Sequence, residues 1–286
     1  MILVTSAFGH TGQIFIKQLL AANQEVRAID INPQVTTLQD LGVKETIVGD
    51  LRDADVIRDA VKGVDSILYI PPLFTAEEFY SARYTIDMAV KYNVKHFVFV
   101  SVTHPIMSTL LQHTTKRESE EYLVYTGLKT NLKYTILQPM HYMHNFNSQQ
   151  VLASDKYEIF YDVNTRLSYV DPNDVGTVAV KVLTHPDEHN GATYELVGDD
   201  FLSPVELVEQ FNELTGKDAR ATKVEIDDFL DSVGFQNVYT RIAFKQLAKT
   251  YSEFGIFGNS TVLTMLLGHK PTNFKEYVQN ELNDLN

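Results

Sequence analysis

The 286-residue chain has no cysteine. That excludes disulfides, thiolate nucleophiles and thiolate metal sites together, and it fits a reducing compartment. The chain is also short of positive charge: 24 Lys and Arg stand against 37 Asp and Glu, a formal net charge of -13. No run of Lys and Arg interrupts that excess, so a nucleic-acid backbone or an anionic membrane surface is repelled rather than bound. No apolar stretch approaches the roughly 20 residues that a membrane span needs. The opening Met1-Ile2-Leu3-Val4 stops at Thr5 without a basic leader and reads as a strand rather than a signal peptide. Internal repeats and low-complexity tracts are missing too. Together these absences point to a cytoplasmic protein with neither a nucleic acid nor a membrane as partner.

What remains is an ordinary globular composition, 44% hydrophobic and 21% charged, long enough for one large domain or a main domain with an annex. The first two thirds alternate short β-rich runs with segments of helical periodicity. Strands are expected at 2–5, 25–30, 45–48, 66–70, 96–101 and 133–138. The segment after Gly12 gathers Ile14, Ile16, Leu19 and Leu20 near one face, and 53–62 does the same with Val56, Ile57, Ala60 and Val61. Asn23 and Gly63 are the stops. This rhythm predicts an α/β fold, a doubly wound parallel sheet with helices on both faces. After Pro139 the text turns to aromatic, Met and amide residues (MHYMHNFNSQQ), as in a segment leaving the sheet to line a cavity. Residues 165–183 read as a strand and helix packed back on the main sheet, 192–198 as a further strand, and the rest from about Ser203 as mostly helical.

Between the first strand and the first helix stands Ser6-Ala-Phe-Gly9-His-Thr-Gly12. The first N–H groups of a helix lack internal partners and make an anion site, which Gly9 and Gly12 would leave open. Two such glycines also occur in a plain packing turn. Context favours the cradle: the second expected strand ends at Asp30, 18 residues after Gly12, where a carboxylate accepts both ribose hydroxyls of an adenosine and repels a 2′-phosphate. Asp30 also suits a helix N-cap before Asn32-Pro33. Asp50, in Val-Gly-Asp-Leu-Arg-Asp, follows the third strand near an adenine position, or caps the next helix.

The stretches VTSAFGHTG, IVGDLRD, VKHFVFVSV, KYTILQPMHYMHNF, TRLSYVDPNDV and YELVGDDFLSPVELVEQF, in this order and spacing, resemble the NmrA-like branch of the atypical short-chain dehydrogenase/reductases over nearly the whole chain. The resemblance implies a Rossmann domain binding NAD(P), here 1–139 with 166–190, and a smaller substrate lobe, 140–165 with 191–286, closing over the nicotinamide. It implies cofactor contacts from Ser6, Phe8, Gly9, His10, Thr11, Gly12, Asp30, Asp50, Leu51, Ile70, Pro71 and Lys116. Ser6 stands where the family has its first glycine, tolerable if its φ is negative and weakening the cradle if it is not. Asp30-Ile31 stand where most relatives carry a base for the 2′-phosphate, so NAD(H) is favoured over NADP(H).

Full short-chain dehydrogenases use Tyr-x-x-x-Lys. Tyr125-Thr-Gly-Leu-Lys129 has that spacing but lies too far along its helix, which Gly127 should end. Lys116 matches the lysine that many NmrA-like proteins retain, and four residues before it stands Gln112, which cannot act as a general acid. His113 is the nearest titratable substitute, or a plain loop histidine. Ser101 occupies the position of a hydrogen-bonding serine, or merely ends a strand. Ile70, Pro71, Pro72, Leu73 and Phe74, with Tyr142, Met143 and Phe146, are expected as an apolar wall for a flat acceptor, or as ordinary packing. His141 and His144 lack the acidic neighbours of a metal site, so no metal is expected. Function divides between an NAD(P)H-dependent oxidoreductase acting on a quinone-like or other small electrophile and a redox sensor acting through a regulatory protein partner. An NAD-dependent epimerase or dehydratase ranks behind both, and the oligomeric state stays open.

Overall fold

The short apolar runs become strands covered on both faces: every residue of Ile2–Val4 and of His96–Val100 is buried, as parallel strands between two helix layers must be. The computed structural model describes residues 1–72 and 74–283; Leu73, expected in the apolar wall, lies outside them. In chain order the elements are Ile2–Val4 (β1), His10–Ala21 (α1), Val26–Asp30 (β2), Glu45–Val48 (β3), Ala54–Val61 (α2), Ser66–Tyr69 (β4), Glu78–Lys91 (α3), His96–Val100 (β5), Leu111–Lys129 (α4) and Lys133–Pro139 (β6). There follow His141–Tyr142 (β7), Ser148–Ser154 (α5), Lys156–Ile159 (β8), Leu167–Val170 (β9), Pro172–Thr184 (α6), Ala192–Leu196 (β10), Phe201–Leu202 (β11), Pro204–Thr215 (α7), Arg220–Lys223 (β12), Ile226–Ser232 (α8), Val238–Phe254 (α9), Thr261–Leu267 (α10) and Phe274–Asn283 (α11).

The main sheet runs β10-β6-β5-β4-β1-β2-β3. β1 pairs in parallel with β2 and β4, β2 with β3, β4 with β5, and β5 with β6. The order reverses on the two sides of β1, and a crevice at the carboxyl ends of the strands beside such a switch is where open α/β sheets bind ligands. The core on one face gathers Leu3, Ile29, Ile67, Tyr69, Phe97 and Ile136.

The chain forms two compact units, 1–106 with 112–138 and 175–194, and 107–111 with 139–174 and 195–286. This differs from the expected division: residues 107–111 join the second unit, and two further segments change sides. Residues 166–174 belong to the second unit, because β9 pairs with β7 and β11 in a separate three-stranded sheet. β10, assigned to the lobe by sequence, is instead the seventh strand of the main sheet, next to β6. A strand's own residues specify its faces but not its neighbour, so such assignments wait on the register. α4 runs through Gly127 to Lys129; the glycine is there because a Cβ would meet the Tyr134 ring at 2.4 Å. No helix among the described residues is long and apolar enough to cross a membrane.

In the second unit two of the residues expected to line a cavity after Pro139 are core instead. Met143 and Phe146 are 0% and 1% exposed, and the Phe146 ring meets Tyr157 at 4.7 Å, Phe274 at 5.1 Å and Phe211 at 5.4 Å between centroids. Emptying a site so enclosed leaves a cavity, so Phe146→Ala should cost about 3–5 kcal/mol in urea unfolding; a loss under about 1 kcal/mol would show that the ring faces open space.

Candidate functional site

β1 ends at Val4, and the chain turns into α1 within five residues. Ala7 N donates to the Ile29 carbonyl at 3.1 Å, so the turn still lies beside β2. Ser6 adopts φ +46, a left-handed conformation that a non-glycine residue takes at a cost. The Thr5 and Ser6 hydroxyls both donate to the Ile70 carbonyl, at 2.8 and 3.0 Å, and Ile70 N donates back to Thr5 Oγ at 2.8 Å. These bonds tie the end of β1 to the end of β4 and hold the strained residue. Gly9 is the N-cap of α1, has φ -63 and makes no side-chain cap; Gly9 and His10 are exposed. The helix mouth therefore has no capping side chain over it. At Gly12 a Cβ would stand 2.5 Å from the Ser6 carbonyl oxygen and 2.8 Å from that of Ala7. Only a residue without a side chain lets α1 start this close to the strand, and closeness is what aims its amides at the strand tips. The residues present fit the diphosphate of a dinucleotide.

Asp30, at the tip of β2, leans onto this turn: Oδ2 accepts Phe8 N and Oδ1 accepts Asn32 N, each at 2.9 Å. A carboxylate has about four acceptor positions, so two such bonds leave room for two hydroxyl donors. Asn32, not Asp30, caps the 3-10 helix Pro33–Leu41. Asp50 is committed to Arg52, accepting its backbone N–H at 2.8 Å and its guanidinium from Nε and Nη2; that pairing holds the Asp50 carboxyl below the usual range. Asp53 caps α2. Leu51 is 6% exposed in the core.

The first turns of α3 and α4 contribute a buried polar cluster. Lys116 Nζ donates to Glu78 Oε1 at 2.8 Å, with side chains 8% and 1% exposed. Burial pushes the Glu78 carboxyl up while Lys116 pulls it back. One helical turn before Lys116, Gln112 is 8% exposed with neither amide atom hydrogen-bonded. His113 is 2% exposed; its Nδ1 lies 3.0 Å from the His104 carbonyl oxygen, which can only accept, so Nδ1 carries the proton. Burial lowers its pKa to about 4. One turn after Lys116, Glu120 accepts the Ser101 hydroxyl and, at 2.9 and 3.0 Å, Gln138 Nε2; burial raises its pKa.

The NmrA-like family model matches residues 1–278. The chain belongs to the NmrA-like family. It is similar to the quinone oxidoreductase 2 of Escherichia coli K12, 25% identical over 294 residues covering 99% of both chains. It also resembles the crystal structure of an NADPH-dependent quinone oxidoreductase of E. coli in complex with NADPH, with TM-score 0.78 and 25% identity over 99% of this chain and 100% of that one. A third likeness is to the triphenylmethane reductase of Citrobacter sp., with TM-score 0.79 and 25% identity over 99% of each chain. The fold is that of the NAD(P)-binding Rossmann-type reductases.

Measured against what NmrA-like membership implies, several site residues need correction. Ser6 does not keep φ negative; the Ile70 carbonyl rather than backbone preference accommodates it. His113, neutral and donating to a backbone carbonyl, has no proton to give near pH 7, so the general-acid reading fails on burial. Ser101 serves Glu120. Tyr125 is 54% exposed in the last turns of α4, with Lys129 over its ring. Of the apolar wall, Pro72 and Phe74 are half-buried in the first unit and Tyr142 is half-buried in the second, whereas Met143 and Phe146 are core there. Pro71 is buried and Ile70 acts through its backbone. His141 packs edge-on to Tyr169 and Tyr251, and among the described residues no group of three His, Cys, Asp or Glu could hold a metal. Sequence reasoning missed Glu78 and Glu120. Glu120 had a signal, its four-residue spacing from Lys116 on one helix; Glu78 had none, 38 residues away on another element.

Two outcomes follow for stability. Ser6→Ala keeps the strain and loses the Ile70 bond, costing about 1 kcal/mol, while Ser6→Gly loses both and is near neutral; equal values in urea unfolding would remove the strain argument. His113 has a folded pKa of about 4 against an ordinary 6.5. Between these values the unfolded chain takes up a proton that the folded chain refuses, so stability is full above pH 6.5 and falls on acidification. His113→Gln should remove about 2–3 kcal/mol of that loss between pH 6.5 and 4.5; an unchanged slope would place the imidazole in water.

Proposed function

We propose that the chain is an NAD(P)H-dependent oxidoreductase that reduces quinone-like acceptors. The carrying observation is the uncapped mouth of α1 beside Asp30, in a family member whose full-length relatives include a quinone oxidoreductase. A bound reduced nicotinamide would supply the hydride. The amides of residues 10–12 bind the diphosphate, Asp30 takes the adenosine ribose, and Lys116 holds the nicotinamide-side ribose. Pro72 and Phe74, half-buried in the first unit, are the apolar residues offered to a flat acceptor.

The choice of acceptor follows from what is missing. Neither Gln112 nor His113 delivers a proton near neutral pH, so ketone reduction, which generates a basic alkoxide, lacks its acid. A quinone accepts hydride to give a stabilised phenolate, which takes its proton from solvent. The protein then needs only to position its two partners.

The same reading assigns NAD(H) as preferred over NADP(H). Between Arg27 and Lys44 the sequence has no Lys or Arg. Arg27 is held by Glu45 and the Ala60 and Lys62 carbonyls, and Lys44 by Glu25. The sequence that directly follows β2 offers no Lys or Arg to a 2′-phosphate, and Asp30 repels one. The E. coli relative was crystallised with NADPH, so the test discriminates. A cytoplasmic setting, consistent with the cysteine-free composition, belongs to this proposal. The regulatory-partner reading has no observation of its own.

Calorimetric titration with NAD+, NADH, NADP+ and NADPH should give binding, tightest for NADH. Ile31→Arg should shift preference toward NADPH by about tenfold. Stopped-flow oxidation of NADH by a quinone panel should slow at least about tenfold in Lys116→Ala. Absence of heat with all four at millimolar levels would end the cofactor assignment; binding without turnover on any quinone would end the enzyme assignment.

A further inference from the structure

Glu78 opens α3, a position where a carboxylate normally sits in water against the positive end of the helix. Here it is 1% exposed and bonded to Lys116. Removing two charges from water costs several kcal/mol each, and well-packed apolar residues of similar volume are often as stable. A pair kept for stability would have its remaining atoms satisfied. Instead Glu78 Oε2 has no hydrogen-bond partner, and neither does the Gln112 amide, one turn from Lys116 on the same helix. Three buried polar atoms next to one ammonium call for a role beyond packing.

The platform under Glu78 is rigid. One turn along α3, Ser81 Oγ donates to the Leu51 carbonyl at 2.6 Å and lies 3.0 Å from the Tyr69 hydroxyl. Thr85 in turn donates to the Ser81 carbonyl at 2.8 Å. The first turn of α3 is thereby fastened to β4 and to the turn after β3, both at the carboxyl edge of the main sheet.

We propose that Glu78 is a positioning residue for dinucleotide binding, acting through Lys116: its carboxylate holds the ammonium at a fixed point beside the crevice, so that the lysine's other donors are presented rather than searching. This rests on the reading of Lys116 as the ribose-holding residue. Lys has a flexible four-carbon stem, and fixing its head removes the entropy that each binding event would otherwise cost. If Glu78 acts through Lys116, its effect on binding must vanish once Lys116 is gone.

The test is a double-mutant cycle on calorimetric NADH and NADPH affinities, with urea unfolding of each variant in parallel. Glu78→Gln should weaken binding about tenfold, Lys116→Met at least as much, and the double variant no more than about twofold beyond Lys116→Met alone. If Glu78→Gln leaves too unstable a chain, Glu78→Asp, which keeps the charge but withdraws it by one methylene, should weaken binding several-fold in the native background and not in Lys116→Met. Native affinity in Glu78→Gln, or a loss that adds in full to that of Lys116→Met, overturns the positioning role. A native chain that binds neither dinucleotide overturns the cofactor reading itself, and this proposal with it; the native titration alone separates the two failures.

Discussion

The contact on which the rest depends is the approach of α1 to the carbonyls of Ser6 and Ala7, with no side chain at residue 12 to prevent it. Two constraints meet there. Gly12 allows the approach, and the Ile70 carbonyl, receiving two hydroxyls, fixes the left-handed residue that turns the chain into it. The glycine usual at the strand end has been exchanged for a serine whose own side chain secures the conformation it strains to adopt. The first unit's anion-binding mouth, the nearness of Asp30 to Phe8 N, and the tie between the ends of β1 and β4 follow from this turn.

The electrostatics of the neighbouring helices are of a different kind. The start of α3 and the first three turns of α4 gather a lysine, two carboxylates, a glutamine and a histidine, and burial lowers the pKa of the histidine while raising those of both carboxyls. Burial keeps His113 neutral, and Glu78 is occupied with Lys116.

Much of the fold was readable from local pattern. The six strand runs reappear within a residue or two, because fully buried parallel strands impose unbroken β-branched and apolar runs on the sequence. The close approach at Gly12 was readable as well, since a glycine between a strand and a helix marks the place where a side chain would not fit. What misled was the reading of burial from type. Met143 and Phe146 looked like cavity lining, but aromatic and thioether side chains serve a core equally well, and only the packing of Tyr157, Phe211 and Phe274 around them decides.

By itself, then, the sequence determined the periodicities, the glycine that permits close approach, the acid at the β2 tip and the lack of a base near it. These are properties of neighbouring residues, which chain connectivity brings together whatever the rest does. The tertiary structure alone decided which strand β9 and β10 join, the sign of φ at Ser6, the protonation of His113 and the partnership of Glu78 with Lys116. Each of those turns on a group dozens of residues away, or on how much water a side chain retains, and neither quantity is written in local order.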